Sequence, residues 1–273
     1  MPLVLLLTGC FEMLTGPPPD PAGWADDRLV APDALPEGAW LLDGRSAEEY
    51  ALGHIPGAIH APWTELTGVD ADGLWTPHPD AGGQLASMGL GAGGTFVVYA
   101  DPATSWGADG FLYWTLRHLG AEDVRLLDGG YAGWLAAGGE GQGRTGGGDF
   151  VARPGPDLLA TTEEVQAALS HGEALILDVR SEEEWRAGTI PTAVHLPWEG
   201  ALDGDGFFLP EDQLRGWLEE AGLVEEQPVI TFCAAGIRAG HTFFALELLG
   251  FSSQDYVGSW AAWTAAGGEV HQP

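Results

Sequence analysis

Positive charge is scarce in this sequence, which contains no lysine and only ten arginines among its 273 residues. Against them stand 40 aspartates and glutamates, so the formal net charge is −30. A surface of this sign repels phosphate backbones and anionic lipid headgroups. Binding to nucleic acid and electrostatic attachment to a membrane are therefore not expected, and the acidity itself is interpreted as a property that keeps the protein in solution.

Cysteine and long apolar runs are also rare. The two cysteines, Cys10 and Cys233, lie in regions of such different composition that a structural disulfide between them is not expected. No segment of the sequence approaches the ~20 consecutive apolar residues of a membrane-spanning helix. Each cysteine therefore needs its own explanation, and any attachment to a membrane would be through a lipid.

The first ten residues resemble the leader of a bacterial lipoprotein. An apolar stretch, Leu3–Leu7, leads into the sequence Leu-Thr-Gly-Cys that ends at Cys10 and is similar to the lipobox of that family. Residues 15–23 then form a Pro-rich tether. The resemblance implies that Cys10 is acylated and becomes the N-terminus of an exported protein, anchored in the bacterial cell envelope on the periplasmic side.

The leader departs from the usual pattern in two respects. No basic residue precedes the apolar run, and the run is shorter than the usual ~7 to 15 residues. Both departures are expected if translation starts further upstream. The alternative is an ordinary hydrophobic N-terminus with an incidental cysteine, which would leave the protein in the cytoplasm.

The rest of the chain contains an internal repeat. The sequence Leu-Asp-Gly-Arg-Ser-Ala-Glu-Glu-Tyr at residues 42–50 returns as Leu-Asp-Val-Arg-Ser-Glu-Glu-Glu-Trp at residues 177–185, and a Gly-x-Ile-Pro-x-Ala motif follows in both places. Repetition at this distance indicates a duplicated domain. The chain is therefore divided into four parts: a leader and tether (1–23), a first domain (24–138), a Gly/Pro-rich linker (139–157) and a second domain (158–273).

Each copy alternates short apolar runs with helical stretches, which predicts an α/β fold with a parallel sheet. In the second copy a capping box is expected to open a helix over Thr161–Leu169, and a buried strand over Ala174–Leu177 is expected to follow and to end at Asp178. Another strand, Pro228–Phe232, ends at Cys233, and a helix then runs from about Ile237 to the stop at Gly250. Ligands of open α/β sheets bind beyond the carboxyl ends of the strands, so Cys233 lies where a functional residue is expected.

Residues 233–238, here called the Cys233 loop, read Cys-Ala-Ala-Gly-Ile-Arg between a strand and a helix. The helix N-terminus and Arg238 both favour a thiolate at Cys233, which sulfur transfer needs. The alternative is a buried structural cysteine at the end of a strand. Four backbone amides are expected to form an anion-binding cradle around the sulfur, those of Ala234, Ala235, Gly236 and Ile237.

Four motifs together resemble the rhodanese family: Asp-x-Arg at a strand end, Gly-x-Ile-Pro-x-Ala, Cys-x-x-Gly-x-Arg and the late Gly-Ser-Trp-x-x-Trp. They cover residues 38–138 and 158–271. The resemblance implies two tandem rhodanese-like domains, each a parallel sheet with helices on both faces. It also implies a sulfurtransferase that carries sulfur as a persulfide on Cys233. No metal or organic cofactor is implied, and the partners are a small-molecule sulfur donor and a thiol or cyanide acceptor.

The first copy lacks a cysteine, and its apolar run aligns Asp101 with the position of the nucleophile. An aspartate forms no persulfide, so the first domain is expected to contribute packing and one wall of the cleft. The length of the Cys233 loop also selects between two chemistries. Phosphatases that resemble this family have five residues between cysteine and arginine, whereas four separate Cys233 from Arg238 here, which favours sulfur over phosphate.

Several other residues are candidates for lesser roles. Asp178 and Arg180 form the Asp-x-Arg pair of the second copy, and the resemblance places them near the active site, where Arg180 binds substrate or braces the loop. Arg186 is a further substrate-binding candidate, with an exposed surface arginine as the alternative. His54 is interpreted as structural. The residues inside the Cys233 loop do not match those of relatives specific for thiosulfate or mercaptopyruvate, so the donor remains open.

Two functions from different classes are therefore considered. The first is an enzyme that takes sulfur onto Cys233 from a donor such as thiosulfate or 3-mercaptopyruvate and passes it to cyanide or a thiol. The second is a non-catalytic binding module anchored in the cell envelope. The intact pair of Cys233 and Arg238 favours the enzyme.

Overall fold

The computed structural model describes residues 24, 26–71, 74–153, 155–224 and 226–273. The lipobox at Cys10 and the Pro-rich tether lie outside these residues. Within them, no helix is both long enough and apolar enough to cross a membrane. The described chain forms two α/β domains, each built on its own parallel sheet.

The first domain is a five-stranded parallel sheet with the strand order β1-β7-β6-β2-β3. Strands β2 and β6 are buried at every residue, because helices cover both faces of the sheet, and they therefore read as continuous apolar runs in the sequence. Strands β4 and β5 form a separate antiparallel hairpin. The elements in chain order are β1 (Leu29–Val30), β2 (Trp40–Asp43), α1 (Ala47–Leu52), β3 (Ile59–His60), α2 (Trp63–Leu66), β4 (Thr67–Val69), β5 (Trp75–Pro77), α3 (Ala81–Ser87), β6 (Phe96–Tyr99), α4 (Pro102–Ser105), α5 (Ala108–His118), β7 (Val124–Leu127) and α6 (Gly130–Ala136).

The second domain repeats this plan with the strand order β11-β10-β8-β9. A single parallel bridge between Leu159 and Asp255 occupies the edge position that β1 fills in the first domain. The elements in chain order are α7 (Thr162–His171), β8 (Leu175–Asp178), α8 (Glu182–Ala187), β9 (Val194–His195), a 3₁₀ turn (Trp198–Ala201), α9 (Glu211–Glu220), β10 (Val229–Phe232), α10 (Ile237–Leu248), β11 (Ser253–Asp255) and α11 (Ser259–Ala265).

The elements expected in the second copy are present at nearly the expected bounds. Thr161 caps α7, and its hydroxyl and backbone amide form a reciprocal capping box with Glu164. The helix ends two residues later than expected, because Gly172 supplies the left-handed C-cap. Strand β8 ends at Asp178 as expected, and Cys233 follows directly after β10.

The two sheets differ in the type of residue at one buried position. Asp255 of β11 is fully buried, and neither of its carboxylate oxygens has a hydrogen-bond partner among the described residues. Burial raises the pKa of Asp255 well above its usual range. In the first sheet Leu126 has the corresponding register, since it pairs with β6 as Asp255 pairs with β10. The second core therefore contains an unpaired carboxyl group where the first contains a leucine.

The linker forms neither helix nor strand over residues 139–153 and 155–157, as its composition predicts. It is nevertheless fixed along the first domain. The amide of Arg144 donates to the carbonyl of Ala39, and the guanidinium group lies 4.8 Å from the ring centre of a tryptophan in β2. Phe150 is buried edge-on against Phe96, with ring centres 5.9 Å apart. The linker is thus part of the first core, which its sequence did not indicate.

The two domains meet where α5 crosses α10. At the crossing Gly110 and Gly240 bring the two backbones together: a Cβ atom on Gly110 would lie 2.2 Å from the Cα of His241. A Cβ on Gly240 would lie 2.7 Å from the Cα of Phe111. Only glycine permits this approach, and the crossing places the loops that precede both helices next to each other.

Candidate active site

The sheet register shows which residue of the first domain corresponds to the cysteine. Strand β6 ends at Tyr99 and β10 ends at Phe232, and in each sheet this last residue pairs with the aspartate of the Asp-x-Arg motif. The next residue in each chain segment is Ala100 in the first domain and Cys233 in the second. The expectation that Asp101 has the nucleophile's position is therefore wrong by one residue.

Backbone hydrogen bonds confirm this register. The carbonyl of Ala100 accepts from the amide of Tyr131, and the carbonyl of Cys233 accepts from the amide of Trp260 at the same place in the repeat. Asp101 is the next residue, and its carboxylate accepts from a backbone amide of α6 at 2.9 Å. Since an alanine methyl group has no nucleophilic atom, the conclusion that the first domain carries no nucleophile still holds.

A serine that was not among the expected site residues fixes the Cys233 loop. The Oγ of Ser259 accepts hydrogen bonds from the amides of Cys233 and Gly236, both at 3.0 Å, and donates to the carbonyl of Tyr256 at 2.7 Å. Ser259 is fully buried and has a φ of 52°, in the left-handed region. The Gly236 amide therefore closes the loop and does not face the sulfur as expected. The only signal for Ser259 in the sequence is the Gly-Ser-Trp motif.

The three other amides of the expected cradle remain available. Ala234, Ala235 and Ile237 line a cavity of about 250 Å³ together with Cys233. No hydrogen-bond acceptor meets their amides within the part of the chain that the structure describes. Ile237 also begins α10, whose N-terminus carries partial positive charge. The loop is thus suited to an anion beside the sulfur.

Arg238 links the cysteine to the neighbouring helix α8. Its two terminal nitrogens donate to the two carboxylate oxygens of Glu184 at 2.7 and 2.8 Å, and its side chain is only 9% exposed. The hydrogen bonds from Arg238 lower the pKa of Glu184 to about 2. Burial lowers the pKa of Arg238, but its hydrogen bond to Glu184 and its interaction with the Cys233 side chain outweigh burial and raise it above the usual value. The ion pair is therefore charged at every pH near neutrality.

Glu184 was not among the expected site residues either. It is the third residue of α8 and forms a capping box with Ser181, so one oxygen that binds Arg238 also accepts from the Ser181 amide and hydroxyl. The Ser-x-x-Glu spacing is visible in the sequence and explains why this carboxylate has a fixed orientation.

Asp178 and Arg180 form a buried ion pair below the loop. The guanidinium group donates to both Asp178 oxygens, at 2.8 and 2.6 Å, and to the carbonyl of Gly188 at 2.7 Å. The Arg180 side chain also lies over the ring of Trp260, 4.5 Å from its centre. Arg45 makes the corresponding bonds in the first domain, which has no nucleophile. This duplication favours bracing over substrate binding for the pair.

Two further candidates lie outside the cavity. Arg186 is exposed and its guanidinium group pairs with Glu182 one turn earlier in α8, at 2.6 Å, so the structure does not bring it to Cys233. The Nδ1 of His54 donates a hydrogen bond to the carbonyl of Tyr50, and the His54 ring stacks on the Tyr50 ring with 3.9 Å between centres, in agreement with a structural role. Among the described residues, no group of three or more His, Cys, Asp or Glu side chains is placed to hold a metal ion.

The first domain supplies the opposite wall of the cavity. Trp63 at the start of α2 and Trp106 after α4 face the Cys233 loop, and Cys233 itself is only 2% exposed. A reactant therefore reaches the sulfur between the loop and the two indole rings. The arrangement combines a sulfur nucleophile, backbone donors for an anion and a fixed cation, which are the requirements of covalent catalysis through a thiolate.

Comparisons with known proteins agree with this geometry. The sequence matches the rhodanese-like domain family over residues 22–137 and 161–266. It is 30% identical over 255 residues to a thiosulfate sulfurtransferase of Azotobacter vinelandii, covering 86% of this chain and 90% of that protein. It is 34% identical over 269 residues to a probable 3-mercaptopyruvate sulfurtransferase of Pseudomonas aeruginosa, covering 86% and 91%. The structure of SseA from Escherichia coli, a 3-mercaptopyruvate sulfotransferase, superposes with a TM-score of 0.73 at 26% identity, covering 85% of this chain and 98% of that one.

Proposed function

This chain belongs to the rhodanese-like family and is a sulfurtransferase of the thiosulfate or 3-mercaptopyruvate type, and we propose on that basis that it transfers sulfur through a persulfide on Cys233. The donor is a small molecule such as thiosulfate or 3-mercaptopyruvate, and the acceptor is cyanide or a thiol. The observation that carries the proposal is the position of Cys233, directly after β10 and beside Arg238 and three unpaired loop amides.

The first half of the reaction loads the cysteine. The Cys233 thiolate attacks the outer sulfur of thiosulfate, a bond forms between Sγ and that sulfur, and the S–S bond of the donor breaks. Sulfite leaves with the electron pair. Negative charge develops on the departing sulfite beside the loop. It is stabilised by the partial charge at the start of α10 and by the amides of Ala234, Ala235 and Ile237.

The second half returns the enzyme to its starting state. The acceptor attacks the outer sulfur of the persulfide, the bond between that sulfur and Sγ breaks, and the electron pair returns to Cys233 as a thiolate. Arg238 interacts with this thiolate and is held in place by Glu184. It therefore favours Cys233 as the leaving group.

Mass spectrometry of the whole chain after exposure to each donor tests the proposal. We expect one added sulfur atom on the peptide that contains Cys233, and its loss when cyanide is added, with formation of thiocyanate. Cys233→Ser is the control, because a hydroxyl group does not carry sulfane sulfur. Turnover of cyanide by Cys233→Ser at the wild-type rate would refute the mechanism, and a chain that takes up no sulfur from any donor would instead act as a binding module.

We also propose that the chain is exported and held in the cell envelope by a lipid on Cys10. The support is the similarity of the segment ending at Cys10 to a lipobox, followed by the Pro-rich tether over residues 15–23. Cys10→Ser, expressed in a bacterial host that processes lipoproteins, should release the protein from the membrane fraction while its sulfur-transfer activity is kept. Unchanged membrane association would refute the anchor without bearing on the chemistry at Cys233.

A further inference from the structure

The two domains differ in the loop that follows β6 in the first domain and β10 in the second. Helices α5 and α10 begin after Gly107 and Gly236, which are both left-handed N-cap residues. Two residues separate Cys233 from Gly236, whereas six separate Ala100 from Gly107. The loop of the first domain is therefore longer by four residues, although it has no nucleophile to hold.

The additional residues build a structure of their own. They form the short helix α4, which ends at Trp106 in the left-handed conformation, with φ of 58°. The indole ring is 65% exposed. The left-handed conformation costs the folded chain free energy, and the exposed indole forgoes the stabilisation that burial would give. Strained residues of this kind are concentrated at functional sites.

The ring of Trp106 lies over the active site of the other domain. It lines the cavity above Cys233 opposite the catalytic loop, with Trp63 as its neighbour, and its centre is 6.0 Å from the Cζ of Arg238. At about 250 Å³ the cavity is smaller than the ~300–1,000 Å³ of typical sites for drug-sized ligands. It therefore fits a compact acceptor better than an extended one.

The charged groups at the mouth of the cavity further restrict the kind of acceptor that it favours. Arg238 is the one cation among the described lining residues, and both of its terminal nitrogens are bound to Glu184. The mouth thus offers two indole rings and no unpaired positive side chain to an incoming acceptor. The three free amides of the Cys233 loop serve the sulfur on the other wall of the cavity. A second anionic group on the acceptor would therefore lose its water beside the indole rings without a charged partner there, whereas an aromatic ring would gain a stacking surface.

From these observations we infer that Trp106 determines acceptor specificity, and that the preferred acceptor is a compact thiol bearing an aromatic group. The inference rests on the proposed persulfide at Cys233. The aromatic group of the acceptor stacks on Trp106 while its thiolate attacks the outer sulfur of the persulfide. The S–S bond to Cys233 then breaks, the cysteine leaves as a thiolate and the acceptor leaves as a hydropersulfide after taking a proton from water.

The whole protein, loaded with sulfur from thiosulfate or 3-mercaptopyruvate, provides the test. Three acceptors are compared by their kcat/KM values: benzyl mercaptan, 2-mercaptoethanesulfonate and cyanide. In the wild-type protein we expect benzyl mercaptan to exceed the sulfonate by about fivefold or more, the range that aromatic stacking supplies. In Trp106→Ala the ratio of benzyl mercaptan to cyanide should fall about fivefold, and Trp106→Phe should keep most of that ratio.

Leu135→Ala is the matched control, since it removes an exposed apolar side chain of the same domain on α6. The ratio should be the same in this variant as in the wild type. Wild-type preference for the sulfonate, or an unchanged ratio in Trp106→Ala, would overturn the inference. Thiocyanate formation from cyanide separates the two proposals. If it is absent, the persulfide mechanism fails. If it is present while the ratio of benzyl mercaptan to cyanide is the same with and without Trp106, only the inference fails.

Discussion

The three hydrogen bonds of Ser259 give a prediction whose magnitude follows from the structure. Ser259→Ala leaves the buried amides of Cys233 and Gly236 without their acceptor and removes one of the two donors to the carbonyl of Tyr256, which keeps the backbone amide of residue 259. A typical hydrogen bond contributes about 1 kcal/mol net, so the free energy of unfolding should fall by about 3 kcal/mol. Transfer should also slow, because the shared acceptor sets the shape of the loop.

Ser259→Gly removes the same hydroxyl group together with the Cβ atom. At a φ of 52° that Cβ strains the backbone, by about 1 kcal/mol or somewhat more. The first domain shows that glycine suits this place, because Gly130 stands there with a φ of 59°. The glycine variant should therefore be less stable than wild type by only about 2 kcal/mol, about 1 kcal/mol better than the alanine variant.

Urea unfolding followed by tryptophan fluorescence measures these differences. Ser253→Ala is the matched control, because Ser253 is also buried but its hydroxyl has no partner among the described residues. It should lose little or no stability. The reasoning fails if both Ser259 variants match this control, or if the glycine variant is as unstable as the alanine variant.

Three further predictions concern other buried or close contacts. Asp255→Leu should raise the free energy of unfolding by about 1–3 kcal/mol at neutral pH. Because the folded pKa of Asp255 is raised, the wild-type protein should lose stability as pH rises above the usual carboxyl range. Urea unfolding at pH values below and above that range should show no such loss in the leucine variant. Glu184→Gln should lower kcat/KM for thiosulfate about tenfold, since the arginine beside the cysteine loses its charged partner, whereas Glu49→Gln at the same place in the first domain should not; equal effects of the two variants would contradict the role of Glu184. Because the pKa of Glu184 is lowered to about 2, its ion pair is complete above the usual carboxyl pKa and is lost only as pH falls towards 2. Gly110→Ala should destabilise the protein by about 2–3 kcal/mol in thermal unfolding, because its Cβ meets backbone atoms of α10. Gly216→Ala on an open helix face should instead stabilise it by ~1 kcal/mol. Equal shifts in Tm for the two variants would refute the tight crossing.

Local patterns in the sequence predicted much of the second domain. The capping box at Thr161 and Glu164 and the continuous apolar runs of β8 and β10 are short-range signals, because a helix start and a doubly covered strand depend mainly on their own residues. The position of Cys233 at a strand end followed from them. The duplicated motifs predicted the two-domain architecture for the same reason.

The features that the sequence did not reveal depend on residues far apart in the chain. The apolar run that begins at Phe96 was aligned with the run that begins at Pro228, although β10 begins one residue later, so Asp101 was assigned a place that Ala100 occupies. The contact of Ser259 with the loop and that of Trp106 with the opposite domain exist only after folding. Phe150 lies in a Gly-rich segment whose composition favours an open chain, and only the groove beside Phe96 explains its burial.

The close passage of α5 across α10 relates the two halves of this chain much as a twofold interface relates the subunits of a homodimer. In a homodimer every change of sequence occurs in both subunits, so each of the two equivalent sites must serve every purpose. Covalent fusion removes that restriction. One half keeps Cys233, while the other carries Ala100 and an extended loop that ends at Trp106, so the two halves divide the labour of a single asymmetric site between chemistry and selection.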